Sequence, residues 1–194
     1  MPELNNQNFN HLKIHTQYSI CEGAIKIDNL KDFCKEKKIP CLGISDTSNL
    51  CGALEFAENI SKVGTQPIIG TQIYFKFEDT TGLLPLIALN ENGYKRIIEL
   101  SSRSYLENDA LSDPHLDVKE LLIDTEGVSL LSGTIQGLFG KLFEKGRLDE
   151  ISKLYRSLSS KFNDNFYLEI QRHGDQNEIA FEKFNLKQSL NIKI

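Results

Sequence analysis

An α/β fold, with a mainly parallel sheet or a barrel, is predicted for this 194-residue chain by three observations. Short apolar runs alternate along it with segments whose apolar residues recur at helical spacing. No low-complexity tract or Pro/Ser linker interrupts that alternation, so no domain boundary is expected inside the chain. Three polar segments, His11-Leu12-Lys13-Ile14-His15, Ser45-Asp46-Thr47-Ser48-Asn49 and Gly70-Thr71-Gln72-Ile73-Tyr74, fall at strand ends. In an α/β barrel the C-terminal strand ends collect ligands and catalytic groups.

Taken in order, the first strand is predicted at Leu12 to Thr16. Asp28 has the residue type of an N-cap, ahead of Leu30, Phe33, Cys34 and Lys37 at helical spacing. Pro40 stops that helix, and Cys41-Leu42-Gly43-Ile44 reads as a buried strand. A second helix carries Ala53, Phe56, Ala57, Ile60 and Val63 on one face, with Gly64 as its C′ residue. The next extended segment runs from Pro67 to Phe75, and Leu84 to Leu89 is strand-like. A helix follows from about Gly93 to Tyr105, then a polar, turn-rich loop from Glu107 to Asp117. Val128 to Leu131 is a strand, Leu138 to Lys145 a short helix closed by Gly146, and Leu148 to Phe162 a helix striped with Ile151, Leu154, Tyr155 and Leu158. Phe166 to Ile170 is a strand and Asn177 to Leu190 a final helix. Asn191-Ile192-Lys193-Ile194 reads as the start of another strand, so a barrel truncated before its last strands is expected.

Composition narrows the function. Lys and Arg number 22 against 27 Asp and Glu, a net charge of −5, which argues against gripping a phosphate backbone unaided. Cys21, Cys34, Cys41 and Cys51 show no C-x-x-C spacing and are expected as buried or semi-buried free thiols in a reducing cytoplasm, not as a zinc cluster. No apolar run approaches the ~20 residues of a membrane span, and none resembles a signal peptide. The glycines at 23, 43, 52 and 70 form no G-x-G-x-x-G loop and read as turn and packing positions.

Several segments together carry a family resemblance: Phe9 to Ala24 (FNHLKIHTQYSICEGA), Leu42 to Phe56 (LGISDTSNLCGALEF), Pro67 to Tyr74 (PIIGTQIY), Asn92-Gly93-Tyr94, Leu130 to Gly133 (LLSG) and Tyr167 to Gly174 (YLEIQRHG). In order and spacing they resemble the PHP (polymerase and histidinol phosphatase) domain at the N-terminus of bacterial replicative DNA polymerase III alpha subunits. The resemblance implies a distorted TIM-like barrel of about seven strand–helix units, (β/α)7. Residues 1–194 would then be a single PHP domain, incomplete at its C-terminal end.

In metal-binding relatives that barrel end holds a trinuclear cluster hydrolysing phosphate esters. Imidazoles and carboxylates hold the ions, one ion activates water, and its neighbours neutralise the phosphoryl oxygens. Carried over position by position, the resemblance puts Lys13 at the first histidine of H-x-H and keeps the second as His15. Glu22 replaces the Asp of Y-S-x-x-D-G, Thr47 the histidine of T-D-H, and Gln72 the glutamate of G-x-E-x-Y. Leu83 falls near the histidine before the Asn-Gly-Tyr segment, and Thr134 at the Cys or His after Leu-Ser-Gly. The ring is therefore expected to be vestigial, with no metal bound and Lys13 offsetting Glu22 or Asp46.

Other residues have plainer readings. His11 is expected to bond backbone, His115 to be solvated, and Asp46 to act as a helix N-cap or turn residue. His173 stands at a strand end, open to a role at the barrel mouth or to a loop hydrogen bond; Glu169 faces the mouth or a core ion pair. The implied parent is a DNA-directed DNA polymerase with Mg2+ and catalytic aspartates in other domains. The domain is expected to be a silent cytoplasmic scaffold with no cofactor of its own and no membrane contact. It would dock a proofreading exonuclease subunit and other polymerase III holoenzyme subunits, with DNA held by other domains. Two alternatives stand beside it: a metal-dependent phosphoesterase or built-in proofreading exonuclease, and an unrelated α/β binding module.

Overall fold

The computed structural model describes residues 9–109, 111–189 and 192–193, which divide into two compact units, one ending at Thr71 and the other beginning at Gln72. The first unit holds α1 (Ile27–Lys37), β1 (Cys41–Thr47), α2 (Ala53–Ser61) and the opening residues of β2 (Gln66–Phe77), which lies next to β1. Ile27, Leu30 and Cys34 repeat at helical spacing and bury one stripe of α1. They join Leu42, Ile44, Phe56 and Ile60 in one apolar cluster. Every residue of β1 from Leu42 to Asp46 is buried, as befits a strand covered on both faces.

Three expectations change here. The α1 cap position is Lys26, because burial of Ile27 starts the helix earlier; Asp28 sits in the first turn, still at the positive end of the helix dipole. Residues 12–16 form no strand, only single parallel bridges from Ile14 to Ile44 and from Thr16 to Ile25. At the end of α2 the N–H groups of Val63 and Gly64 reach back to Ile60 and Ser61, tightening the last turn. Lys62 is thus the C-cap, and left-handed Gly64 lies one residue later than expected.

Gly43 explains how close the 11–14 segment comes to β1. Its N–H donates to His11 O at 2.7 Å, and a Cβ there would lie 2.7 Å from Leu12 O. Only glycine permits that approach.

The second unit continues β2 into β3 (Thr80–Ala88), α3 (Glu91–Leu106), β4 (Leu116–Asp117), a 3-10 turn (Val118–Leu122), β5 (Val128–Leu131), α4 (Leu138–Glu144), α5 (Leu148–Phe162), β6 (Phe166–Tyr167) and α6 (Gln176–Gln188). Its strand order is β2-β3-β5-β6, with β4 paired in parallel to β2 through Phe75 and Leu116. β3 and β5 are antiparallel, Leu86 opposite Leu130, whereas β5 and β6 are parallel. The sheet is mixed, not mainly parallel. The cause is local: Glu78-Asp79 alone links β2 to β3, and so short a connection closes only an antiparallel hairpin. Glu78 takes a positive φ of 53° to do so.

β6 is shorter than expected because the chain leaves the ladder after Tyr167. Lys193 makes a single parallel bridge to Tyr167, and its carbonyl accepts from Leu168 N–H at 2.8 Å, so the described part of the segment where a further strand was expected pairs at one residue. Leu190, Asn191 and Ile194 lie outside the described residues.

At the core of this unit Tyr155 meets Phe139 and Phe166 edge-on, with centroids 4.7 and 5.6 Å away. Its buried hydroxyl donates to Asn185 Oδ1 at 3.1 Å, and burial pushes the phenol far above its ordinary pKa. The α4–α5 connection grips the hairpin. Arg147 donates to Asp79 at 2.9 Å, pairs with Glu78 and Glu150, and lies over the Phe77 ring. Lys145 reaches Asp79 and Thr80 from the same side.

All four cysteines are free thiols: Cys34 is buried and Cys41 half-buried. Cys21 and Cys51 are exposed, against expectation, because both fall in turns outside the apolar elements.

Candidate functional site

In the first unit the chain is organised around Asp46, near the C-terminal end of β1 and only 1% exposed. Its Oδ1 accepts from Thr16 N–H and from Ser19 Oγ, each at 2.6 Å; its Oδ2 accepts from Thr16 Oγ1 at 2.7 Å. Ser19 Oγ also accepts from Thr47 N–H at 3.1 Å, and Thr71 Oγ1 donates to Asp46 O at 2.6 Å. Short hydrogen bonds to a buried carboxylate are of the strong, charge-assisted kind. Asp46 is therefore neither an N-cap nor a simple turn residue, but the acceptor joining the 16–19 loop to β1. The sequence offered only a faint sign of this, two hydroxyl residues spaced i, i+3 in Thr16-Gln17-Tyr18-Ser19.

Next to this network lie four of the predicted ring positions. His15 is half-buried, and its Nδ1 is a buried atom with no hydrogen-bond partner. Glu22 is exposed and accepts from the Thr47 hydroxyl, so two positions aligned with ligands bond each other. Lys13 is half-buried in the same segment. Tyr18 donates to Glu55 at 2.6 Å, and that carboxylate pushes the Tyr18 phenol up. Asn49 secures the facing turn, donating to the carbonyls of Tyr18 and Thr47 and accepting from Cys51 N–H.

The remaining positions belong to the second unit. Gln72 is buried on β2, and Leu83 is half-buried on β3. Thr134 follows β5; its hydroxyl accepts from Gln136 N–H at 3.3 Å and its carbonyl from Gly137 N–H at 2.9 Å. Leu83 and this turn come together, since a Cβ on Gly137 would lie 2.8 Å from Leu83 O. A small cleft beyond the ends of β5 and β6 is lined by Thr134, Glu169, Gln171, Glu178 and Glu182, with room for about one water molecule.

His173 and Arg172 close the loop leading into α6. His173 Nδ1 lies 2.9 Å from Glu178 Oε1, and its N–H donates to Glu178 Oε2 at 2.7 Å. The His173 contact holds the Glu178 carboxyl below its ordinary range, and Arg172 does the same for Glu182. His173 thus makes a loop hydrogen bond. Glu169 lines the cleft while its N–H donates to Ser132 Oγ. The His11 ring is exposed and edge-on to Phe9, while the His11 backbone carbonyl bonds Gly43; His115 is half-buried rather than fully solvated, because its Nδ1 lies 2.8 Å from Asp113 O within the loop. Among the described residues, no three His, Cys, Asp or Glu side chains are grouped to hold a metal ion. No helix among them is long and apolar enough to cross a membrane.

Residues 11–173 match the family described as the PHP domain. The chain is 36% identical over 195 residues to DNA polymerase III subunit alpha of Caulobacter vibrioides, with 94% of this chain and 17% of that protein covered. It is 35% identical over 188 residues to the Rickettsia felis protein of the same name, covering 96% of this chain and 16% of the relative. The chain thus spans about a sixth of the length of the relatives it matches. Among solved structures, a Bifidobacterium adolescentis protein named for a metal-dependent phosphoesterase activity superposes with a TM-score of 0.56 at 12% identity, over 93% of this chain and 84% of that one. That likeness concerns the fold, and with the family match it bears out the TIM-like PHP fold class expected from the sequence.

Proposed function

Because the chain belongs to the PHP domain family, we propose that it is the PHP portion of a replicative DNA polymerase III alpha subunit, serving as a non-catalytic scaffold. The observation carrying this reading is the chemistry of the donor set in the first unit. An ammonium, Lys13, stands two residues before His15, and the Thr47 hydroxyl is spent on Glu22. A divalent ion needs converging neutral imidazoles and carboxylates, and a lysine at a ligand position opposes it. The residues present do not fit a metal cluster.

On this reading DNA synthesis, its Mg2+ and its aspartates belong to other parts of the parent polypeptide, which also hold the DNA. The scaffold would brace the polymerase and offer a surface to the proofreading exonuclease subunit and other holoenzyme subunits in the cytoplasm. The test has two arms. The protein is loaded with Mn2+, Zn2+ or Mg2+, desalted, and assayed for bound metal and for hydrolysis of p-nitrophenyl phosphate; sub-stoichiometric metal and no turnover are expected. Association with the exonuclease subunit is measured by calorimetry and should be saturable. Stoichiometric metal with turnover would instead establish the phosphoesterase reading, which the one orphaned His15 nitrogen keeps specific.

A further inference from the structure

We infer that Asp46 is a lock seating the Thr16–Gly23 loop on the end of β1 through hydroxyl relays, so that the loop holds its place without a cation. The inference rests on the depleted-site reading above, and its geometry can be tested apart from it. Two relays converge on the buried carboxylate. In one, Tyr18 N–H donates to Thr16 Oγ1 at 3.2 Å, and that hydroxyl donates to Asp46 Oδ2. In the other, Thr47 N–H donates to Ser19 Oγ, which donates to Asp46 Oδ1. Thr16 N–H completes the set. Each hydroxyl accepts from one backbone site while donating to the carboxylate, so both its donor and acceptor capacities are used.

The loop is also closed on itself. The N–H groups of Glu22 and Gly23 donate to Ser19 O at 3.0 and 2.9 Å, and a Cβ on Gly23 would lie 2.0 Å from Thr16 O. Both loop ends therefore meet at Thr16, the residue Asp46 grips twice. With three donors on its two oxygens, the carboxylate is committed to the protein. A cation could reach it only by displacing donors already 2.6–2.7 Å away. An asparagine there could not substitute, because its single acceptor oxygen cannot receive three donors and its NH2 would confront one of them.

Amide hydrogen exchange on the intact chain tests the lock. Ser19→Ala should speed exchange at Thr47, and Thr16→Val at Tyr18, each by roughly tenfold, because each removes the hydroxyl that accepts from that amide and donates to Asp46. Exchange at buried β1 amides such as Ile44 should not change. Asp46→Asn should speed exchange at Thr16 as well; if that variant does not fold, the two hydroxyl variants carry the test. A chelator should leave all these rates unaltered in the unsubstituted protein. Unchanged rates in both hydroxyl variants, or faster exchange on chelation, would overturn the lock. Metal content measured on the same sample separates the two ideas, since bound metal with chelator-insensitive exchange defeats the depleted-site reading and leaves the lock standing.

Discussion

Gly93 and Gly127 show how a single missing methyl group can hold an element in place. Asn90 caps α3 by accepting from Gly93 N–H at 3.0 Å, and a Cβ on Gly93 would fall 1.7 Å from Gly127 O. That same carbonyl accepts from Leu89 N–H at 2.8 Å, so it cannot move aside cheaply. Gly146, by contrast, needs glycine only for its φ of 73° and has open space around it. Gly93→Ala is therefore expected to lower unfolding free energy by about 3 kcal/mol, as overpacking against backbone does. Gly146→Ala should cost only about 1 kcal/mol, the strain of a left-handed residue. Denaturant midpoints would order the two, and equal losses would contradict the packing argument. The sequence displays Asn92-Gly93-Tyr94 as a recognisable segment, yet its partner is a distant backbone carbonyl that no local pattern marks. Asp46 was equally illegible. Its residue type suits a turn or cap, and only the approach of Thr16 and Ser19 reveals a buried acceptor.

Among the elements, those with long amphipathic stripes could be read directly. Leu148–Phe162 has the predicted bounds because apolar spacing decides α5, and Val128–Leu131 because a short buried run directly after Gly127 decides β5. Segment 12–16 could not be read so, since its apolar alternation is satisfied by two isolated bridges. The β2–β3 hairpin was also hidden, because Glu-Asp lacks the Asn-Gly signature and depends on Arg147 for its setting. Arg147→Met should destabilise the protein by about 1 kcal/mol, the scale of a partly exposed ion-pair network. Raising the salt concentration should shrink the difference between the two proteins, and a salt-independent loss would point to packing against Phe77 instead. At the start of α6, His173 holds the Glu178 carboxyl below its ordinary value of 4.5. The folded state thus favours the ionised form. This stabilisation is complete above the ordinary value and is lost as pH falls through the lowered folded value. Glu178→Gln should flatten the acid limb of the stability profile below about pH 4.5. A limb of unchanged steepness would exclude that pair as a contributor.

For the whole molecule, β2 matters most, because one strand supplies Gln66 to Thr71 to the first unit and Gln72 to Phe77 to the second. A strand shared in this way predicts a single cooperative unfolding event. Urea unfolding followed by circular dichroism and by thiol reactivity of buried Cys34 should give coincident curves; separated transitions would mean two independent folding units. A chelator should not shift those curves if the protein's stability owes nothing to metal. Tyr155 gives the molecule an optical witness to the same event. The chain has six tyrosines and no tryptophan, so tyrosinate absorbance reads without interference. Tyr155 is the phenol sealed inside the aromatic core, and burial keeps its proton in place. In an alkaline titration its colour change should appear only when the core gives way, so that a pH jump would time unfolding without any added dye.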